Sequence, residues 1–285
     1  MHKKDIMSNK QVFINDRFVP LTAASLQISD LSIQRGYGIF DFFKTVNGKA
    51  IFLEDHLDRF FSSAAQMHLD IDLDRKAILK ILEELTANNQ IPDSGIRLTL
   101  TGGYSSDGYL LNTPPNLVIS QTELQAPLVL QDQGIKLMTF DYQRQLSGIK
   151  TLDYAMAIWL QPTIRQAGAH DVLYHNQGWV RECPRANFFI VNHDQEIITA
   201  ATQILPGVIR KNILSLAAQG FRVVERDFNL EELANASEAF ITSTTKHILP
   251  VLEIDGKAVG TGRPGEVTTN LFDQITAIVK KQAGL

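Results

Sequence analysis

Polar and apolar positions alternate along QVFINDRFVP, residues 11–20, which predicts two short strands about the turn Asn15–Asp16. FKTVNGKAIFL, residues 43–53, repeats the pattern, and its Asn47–Gly48 pair is the strongest short-range hairpin signal. The period then changes. LEDHLDRFFSSAAQMHL places Leu53, Leu57, Phe60, Phe61 and Ala64 on one helical face, and DRKAILKILEELTANN predicts a second amphipathic helix. IRLTLTGGY and NLVISQTEL read as strands separated by a loop containing Gly, Ser and Pro. The segment 121–134, QTELQAPLVLQDQG, is polar and turn-rich, so a domain boundary is expected there.

IKLMTFDYQ opens the second half as a strand, and DYAMAIWLQPTIRQAG follows as a long helix that Pro162 must kink or break. DVLYHNQGWVRE predicts a hairpin, while NFFIVN and EIITA read as strands. PGVIRKNILSLAAQG is a helix that Gly220 is expected to close. FRVVERDF, NLEELANAS and EAFITSTTKHILPVLEIDG follow as strand, short helix and mostly strand, before a terminal helix over GEVTTNLFDQITAIVKKQAG. No internal repeat or low-complexity tract is found. Strand clusters interrupted by helices in both halves predict an α+β fold of two domains, 1–122 and 135–285, joined by a linker over 123–134.

Composition narrows the function classes. The 285 residues are 44% hydrophobic and 20% charged, with a formal net charge of −4. That balance is ordinary for a globular protein and lacks the basic face of a nucleic-acid binder. The basic start HKK and the late KK pair are too short to be more than solvated polarity. The N-terminus carries no apolar signal-peptide core, and no stretch approaches ~18 uninterrupted apolar residues. One cysteine, Cys183, excludes an internal disulfide and a cysteine-rich zinc site. A cytoplasmic, metal-free chain with no membrane or nucleic-acid partner is expected.

Lys150, in LSGIKTLDYA, lies between Ile149 and Leu152. A lysine there is ordinarily a surface residue whose stem snorkels. Three other features change its weight. Glu182 ends a predicted hairpin strand before an irregular turn in GWVRECPRANFF. The Pro–Gly turn of ILPGVIRKNIL leaves the amides of Val208 and Ile209 at a helix start, where they can bind phosphate or simply begin a helix. Ser243, Thr244 and Thr245 follow an apolar strand in ITSTTKHILP, and Arg59 on HLDRFF adds a cation. An amine, a carboxylate and phosphate donors are together what pyridoxal 5'-phosphate requires.

The order of these motifs resembles the class IV aminotransferases, the fold-type IV pyridoxal-phosphate enzymes. EDHLDRFFSSA is similar to that family's phosphate-arginine helix, and GIKTLDY to its lysine segment. GWVRECPRANFF resembles its glutamate turn, ILPGVIR its phosphate helix, and ITSTTKHILPVLEIDGK its closing strand and hairpin. The resemblance implies a smaller N-terminal α/β domain, a larger barrel-like C-terminal domain and a homodimer. By position it implies that Lys150 is the catalytic amine, bonding the cofactor and moving the substrate proton. Glu182 would face the pyridine nitrogen. Arg59, Val208, Ile209, Ser243 and Thr244 would hold the phosphate. Tyr154 would reach the phenolate oxygen, and Leu205 would pack on the ring.

The sequence also departs from the family pattern. Ile209 stands where the phosphate helix commonly carries threonine, removing a hydroxyl but keeping the amide. Arg185 follows the glutamate where small residues are usual, and either binds a substrate carboxylate or turns outward. The loop GGYSSDGYLLNTPPN lacks the arginine and histidine of the D-amino acid enzymes. Tyr37, Phe40 and Tyr109 are candidate walls of an apolar substrate pocket, and equally ordinary core aromatics. Lys44 stands where branched-chain enzymes often carry arginine, and Thr245 joins the substrate candidates. The expected reaction moves an amino group from an amino acid, with branched-chain amino acids as candidate donors, to a 2-oxo acid such as 2-oxoglutarate. The alternative is an aminodeoxychorismate lyase releasing 4-aminobenzoate and pyruvate.

Overall fold

The computed structural model describes residues 10–125 and 128–285. The basic N-terminal start, and two residues of the expected linker, lie outside the described residues. The chain divides into two compact units. The first holds the described residues up to 125 together with Ile149–Asp153 and Gln282–Leu285. The second holds residue 128 through Gly148, and Tyr154–Lys281. Lys150 thus belongs to the first unit, although its sequence position assigns it to the second domain.

The first unit is built on a six-stranded sheet. Its strands are β1 (Gln11–Ile14), β2 (Arg17–Pro20), β3 (Gly38–Val46), β4 (Lys49–Ala50), β5 (Ser94–Thr101) and β6 (Leu117–Glu123), in the order β2-β1-β6-β5-β3-β4. The β3–β4 turn adopts positive φ at both Asn47 (51°) and Gly48 (72°), the geometry the Asn–Gly pair favours. Helices Leu53–Gln66 and Arg75–Asn89 form where the apolar period predicts, the second capped by Asp74 accepting from the Ala77 amide. Leu57 and Phe60 of the first and Ile78 and Leu85 of the second are buried with Ile39, Phe43, Leu98 and Ile119 of the sheet. Each such side chain stabilises the fold by about 1.5–3 kcal/mol, so one sheet face and two helix stripes suffice for a core.

The second unit carries a ten-stranded sheet. Its strands are β7 (Ile135–Asp141), β8 (Asp171–Asn176), β9 (Trp179–Val180), β10 (Glu182–Cys183), β11 (Ala186–Val191), β12 (Ile197–Thr199), β13 (Val223–Glu225), β14 (Glu238–Ser243), β15 (His247–Ile254) and β16 (Lys257–Ala258). The main order is β13-β12-β11-β14-β15-β7-β8-β9, with β10 on β11 and β16 on β15. Phe188, Ile190, Ile198, Phe228 and Leu249 fill its core. The Phe189 and Phe240 rings stack at 4.9 Å.

Some local details differ from the sequence expectations. The long helix after Lys150 is two short ones, Ala155–Trp159 and Gln161–Gln166, with Pro162 in the first turn of the second. A proline lacks the amide needed to continue a helix but costs nothing in a first turn. The helix Val208–Ala217 is capped by Ala218 in right-handed conformation, so Gly220 does not close it. A five-residue helix, Leu31–Arg35, has no counterpart in the sequence reading. It is too short for a period and is set by Asp30 accepting from the Ser32 amide and by Gly36 at φ 69°.

Candidate active site

In the first unit the lysine segment lies along the edge of β3. The Phe40 amide donates to the Lys150 carbonyl at 3.0 Å, the Leu152 amide donates to the Gly38 carbonyl at 3.0 Å, and Ile39 bridges Thr151. Ile149 is buried in the first-unit core, while Lys150 itself is half-buried with its Nζ 4.5 Å from the centre of the Phe40 ring. The backbone ladder and the Ile149 anchor hold the Lys150 backbone in place against β3. Gly38 makes the approach possible. A Cβ there would lie 2.7 Å from the Leu100 carbonyl oxygen and 2.8 Å from Leu152. Gly38→Ala is expected to destabilise the unit by about 1–3 kcal/mol through overpacking. An unchanged urea midpoint would show instead that the edge can yield.

Phe40 carries a second cation. The exposed Arg97 guanidinium sits 4.0 Å from the same ring centre. Lys44, further along the same side of β3, is buried, and burial pushes its amine down to about 7. Arg97 is therefore the dependable positive charge beside Phe40 at neutral pH. Tyr37 packs against the first-unit core and donates its hydroxyl to the Met67 carbonyl at 2.7 Å, while Tyr109 is 78% exposed.

Arg59 is held on the core side of β3. Asp41 accepts from its Nε at 2.7 Å and its Nη2 at 2.9 Å, and pairs with His56 Nδ1 at 2.7 Å. Burial alone would raise the Asp41 carboxyl. The Arg59 charge and the hydrogen bonds from His56 and Arg59 outweigh it, and hold the carboxyl well below the usual range. Burial pushes His56 down despite its bond to Asp41, so the ring is neutral. The charge on Arg59 is thus partly compensated, and its remaining Nη1 is the part not taken by Asp41.

The second unit carries the acid and the phosphate-type donors. Glu182 is buried, and four donors converge on its carboxylate. Arg144 reaches Oε1 with Nε at 3.0 Å and Nη2 at 2.9 Å. The Leu205 amide and Asn187 Nδ2 reach Oε2 at 3.0 and 3.3 Å. The same Asn187 amide donates to the Leu205 carbonyl at 2.8 Å, and a Cβ on Gly207 would lie 2.0 Å from Asn187 Oδ1. Asn187 therefore ties the carboxylate to the turn that begins the helix Val208–Ala217. No side chain caps that helix, so its first amides, those of Val208 and Ile209, keep their donor character. Ser243 Oγ and Thr245 Oγ1 lie 3.4 Å apart around the half-buried Thr244. Tyr154 is half-buried ahead of the helix Ala155–Trp159. Arg185 is 77% exposed and only 4.0 Å from Asp171, so it takes no part in the Glu182 cluster. Among the described residues no cluster suited to a metal is found.

The chain matches the family described as Amino-transferase class IV over residues 38–254. It is a class IV aminotransferase. A D-alanine aminotransferase from Bacillus licheniformis is 30% identical over 268 residues, covering 92% of this chain and 94% of that one. A putative branched-chain-amino-acid aminotransferase from Methanocaldococcus jannaschii is 28% identical over 279 residues, with 95% and 97% covered. The branched-chain aminotransferase of the thermophilic archaeon Thermoproteus uzoniensis, solved with norvaline, superposes with a TM-score of 0.86 at 23% identity. The match covers 96% of this chain and 95% of that one, which places this aminotransferase in the same fold.

The sequence reading does not single out Asp41, His56 and Arg97 of the first unit, or Arg144 and Asn187 of the second. Asp41 had a signal, as the one acid in the apolar run GIFDFF, and Asn187 lies in the motif that carries Glu182. Arg97 and Arg144 had none, because exposed strand and loop arginines are ordinary. No helix among the described residues is long and apolar enough to cross a membrane.

Proposed function

We propose that this aminotransferase works with pyridoxal 5'-phosphate and transfers the amino group of an aliphatic amino acid, of which the branched-chain ones are candidates, to a dicarboxylic 2-oxo acid such as 2-oxoglutarate. The observation that carries the reading is the buried Glu182 carboxylate, fixed in direction by four donors. A protonated pyridine nitrogen needs that partner, because a neutral acceptor would not keep the proton in place. The other residues are those the resemblance assigns to the same group. The uncapped amides of Val208 and Ile209, Ser243 or Thr244, and the remaining edge of Arg59 would bind the phosphate. Leu205 would cover the ring, and Tyr154 would donate to its phenolate oxygen.

Pyridoxal phosphate supplies a carbonyl that condenses with amines and a ring that accepts electrons. Lys150 would supply the amine that holds the cofactor and would take up or return the proton at the substrate α-carbon. Glu182 would face the pyridine nitrogen and keep its proton in place. Arg97, presented by Phe40, is suited to the second carboxylate of 2-oxoglutarate, since burial deprives Lys44 of a firm charge. The other candidate substrate residues, Tyr37, Tyr109, Arg185 and Thr245, rank below Phe40 and Arg97 by placement. A homodimer in the cytoplasm is the setting that accords with this reading. The relatives named above are aminotransferases, which supports transamination over the lyase alternative.

The test is glutamate formation from 2-oxoglutarate across a panel of L- and D-amino acids. Transfer from an aliphatic donor, with KM for 2-oxoglutarate raised about tenfold or more in Arg97→Met, is the expected result. Pyruvate release from aminodeoxychorismate with no acceptor present would overturn it.

A further inference from the structure

Glu182 does not stand alone. Arg144 reaches a single oxygen of it with two donors, and anchors its own Nη2 on the Ser147 carbonyl at 2.6 Å. The Arg144 side chain is 14% exposed and that of Glu182 6%, so the charges face each other with little screening. Asn187 and the Leu205 amide already satisfy the other oxygen and fix the carboxylate in direction. The Arg144 guanidinium is thus more than a hydrogen-bond donor needed for orientation. It is a permanent positive charge placed directly behind the anion.

The other ionisable groups near this pair leave the charge balance to Arg144. Cys183, next in the chain, is buried, and burial raises its thiol well above the ordinary range, so it stays neutral. Tyr174 is likewise raised, chiefly by burial. Asp171 is raised by burial as well, and its nearest cation is Arg185 at 4.0 Å.

We propose that Arg144 is a positioning residue whose charge keeps Glu182 an anion and sets how firmly a pyridine nitrogen beside Glu182 retains its proton. The proposal rests on the pyridoxal-phosphate reading above. A cation behind the carboxylate favours its ionised form and draws on the charge it can offer a proton in front. Arg144 therefore tunes the ring between full protonation and a weaker hydrogen bond, acting through Glu182.

The pair is best read as one coupled titration. Holoenzyme carrying a ¹⁵N label at the pyridine nitrogen and ¹³C-labelled glutamate carboxyls would be titrated by NMR in four forms: native, Arg144→Gln, Arg144→Met and Arg144→Lys. Glu182→Gln would assign the Glu182 signal. The expected result is that the Glu182–pyridine titration moves upward by about one to three pH units in both Arg144→Gln and Arg144→Met, and returns in Arg144→Lys. Arg144→Gln keeps amide donors and a similar reach. If it titrates like the native protein while Arg144→Met differs, the role is hydrogen bonding alone and the proposal fails. It fails also if none of the variants moves. Absence of any bound ¹⁵N signal in the native protein would instead overturn the cofactor reading, and the ¹³C titration would still decide whether Arg144 governs Glu182.

Discussion

Replacing Lys150 with alanine is expected to lower kcat for amino transfer by at least about a thousandfold, while the unfolding free energy from urea titration stays within about 0.5 kcal/mol of native. The two halves of the expectation have different causes. Lys150 is half-buried and its hold on β3 is made by backbone atoms, which alanine keeps. The side chain and its contact with the Phe40 ring are lost, and with them the amine to which the proposed mechanism gives the cofactor bond and the proton. Borohydride treatment of the native holoenzyme should fix a pyridoxyl group on the peptide containing Lys150, and none should be found in the alanine variant. Turnover within tenfold of native in Lys150→Ala would show that another base serves the reaction.

The second large effect concerns stability. Asp41→Asn is expected to destabilise the protein by about 3 kcal/mol or more, because it leaves Arg59 nearly buried without its counter-ion. Urea unfolding measures this directly, and a loss under about 1 kcal/mol would mean that solvent already screens Arg59. The same cluster sets the response to acid. Both His56 and Asp41 have folded values below their unfolded ones. In each case the unfolded chain binds more protons as pH falls, so stability is complete above the unfolded value and is lost below it. The loss is expected to begin below about pH 6.5 through His56, and to deepen below about pH 4 through Asp41. His56→Gln should remove the first phase and keep the second; a profile unchanged in that variant would place the titration elsewhere.

Much of this arrangement is legible in the residues themselves. Asn47–Gly48 dictates its hairpin because both residues tolerate positive φ, and Pro162 dictates a helix break because it has no amide to give. Lys150, Glu182 and the Pro–Gly turn before Val208 stand out through the order of motifs that resembles the class IV aminotransferases, since each by itself is an ordinary local feature. The wider circle is harder to see. Asp41 meets His56 and Arg59 only because its strand packs against the helix that carries both. Arg144 meets Glu182 across a long stretch of sequence, and no periodicity encodes that meeting. Burial is equally invisible in a linear pattern. Lys44 reads as an available cation until the structure buries it and desolvation pushes its amine down to about 7.

By itself, then, the sequence determined most elements and their turns, since these depend on backbone preference and on side chains within a few residues. The tertiary structure alone decided which charges are paired and which are exposed. It put Lys150 on the edge of β3, gave Arg59 to Asp41 and Arg144 to Glu182, and set Arg97 against the ring of Phe40. The physical reason is that desolvation and ion pairing depend on everything within a few ångströms of a charge, and folding draws those neighbours from distant parts of the chain.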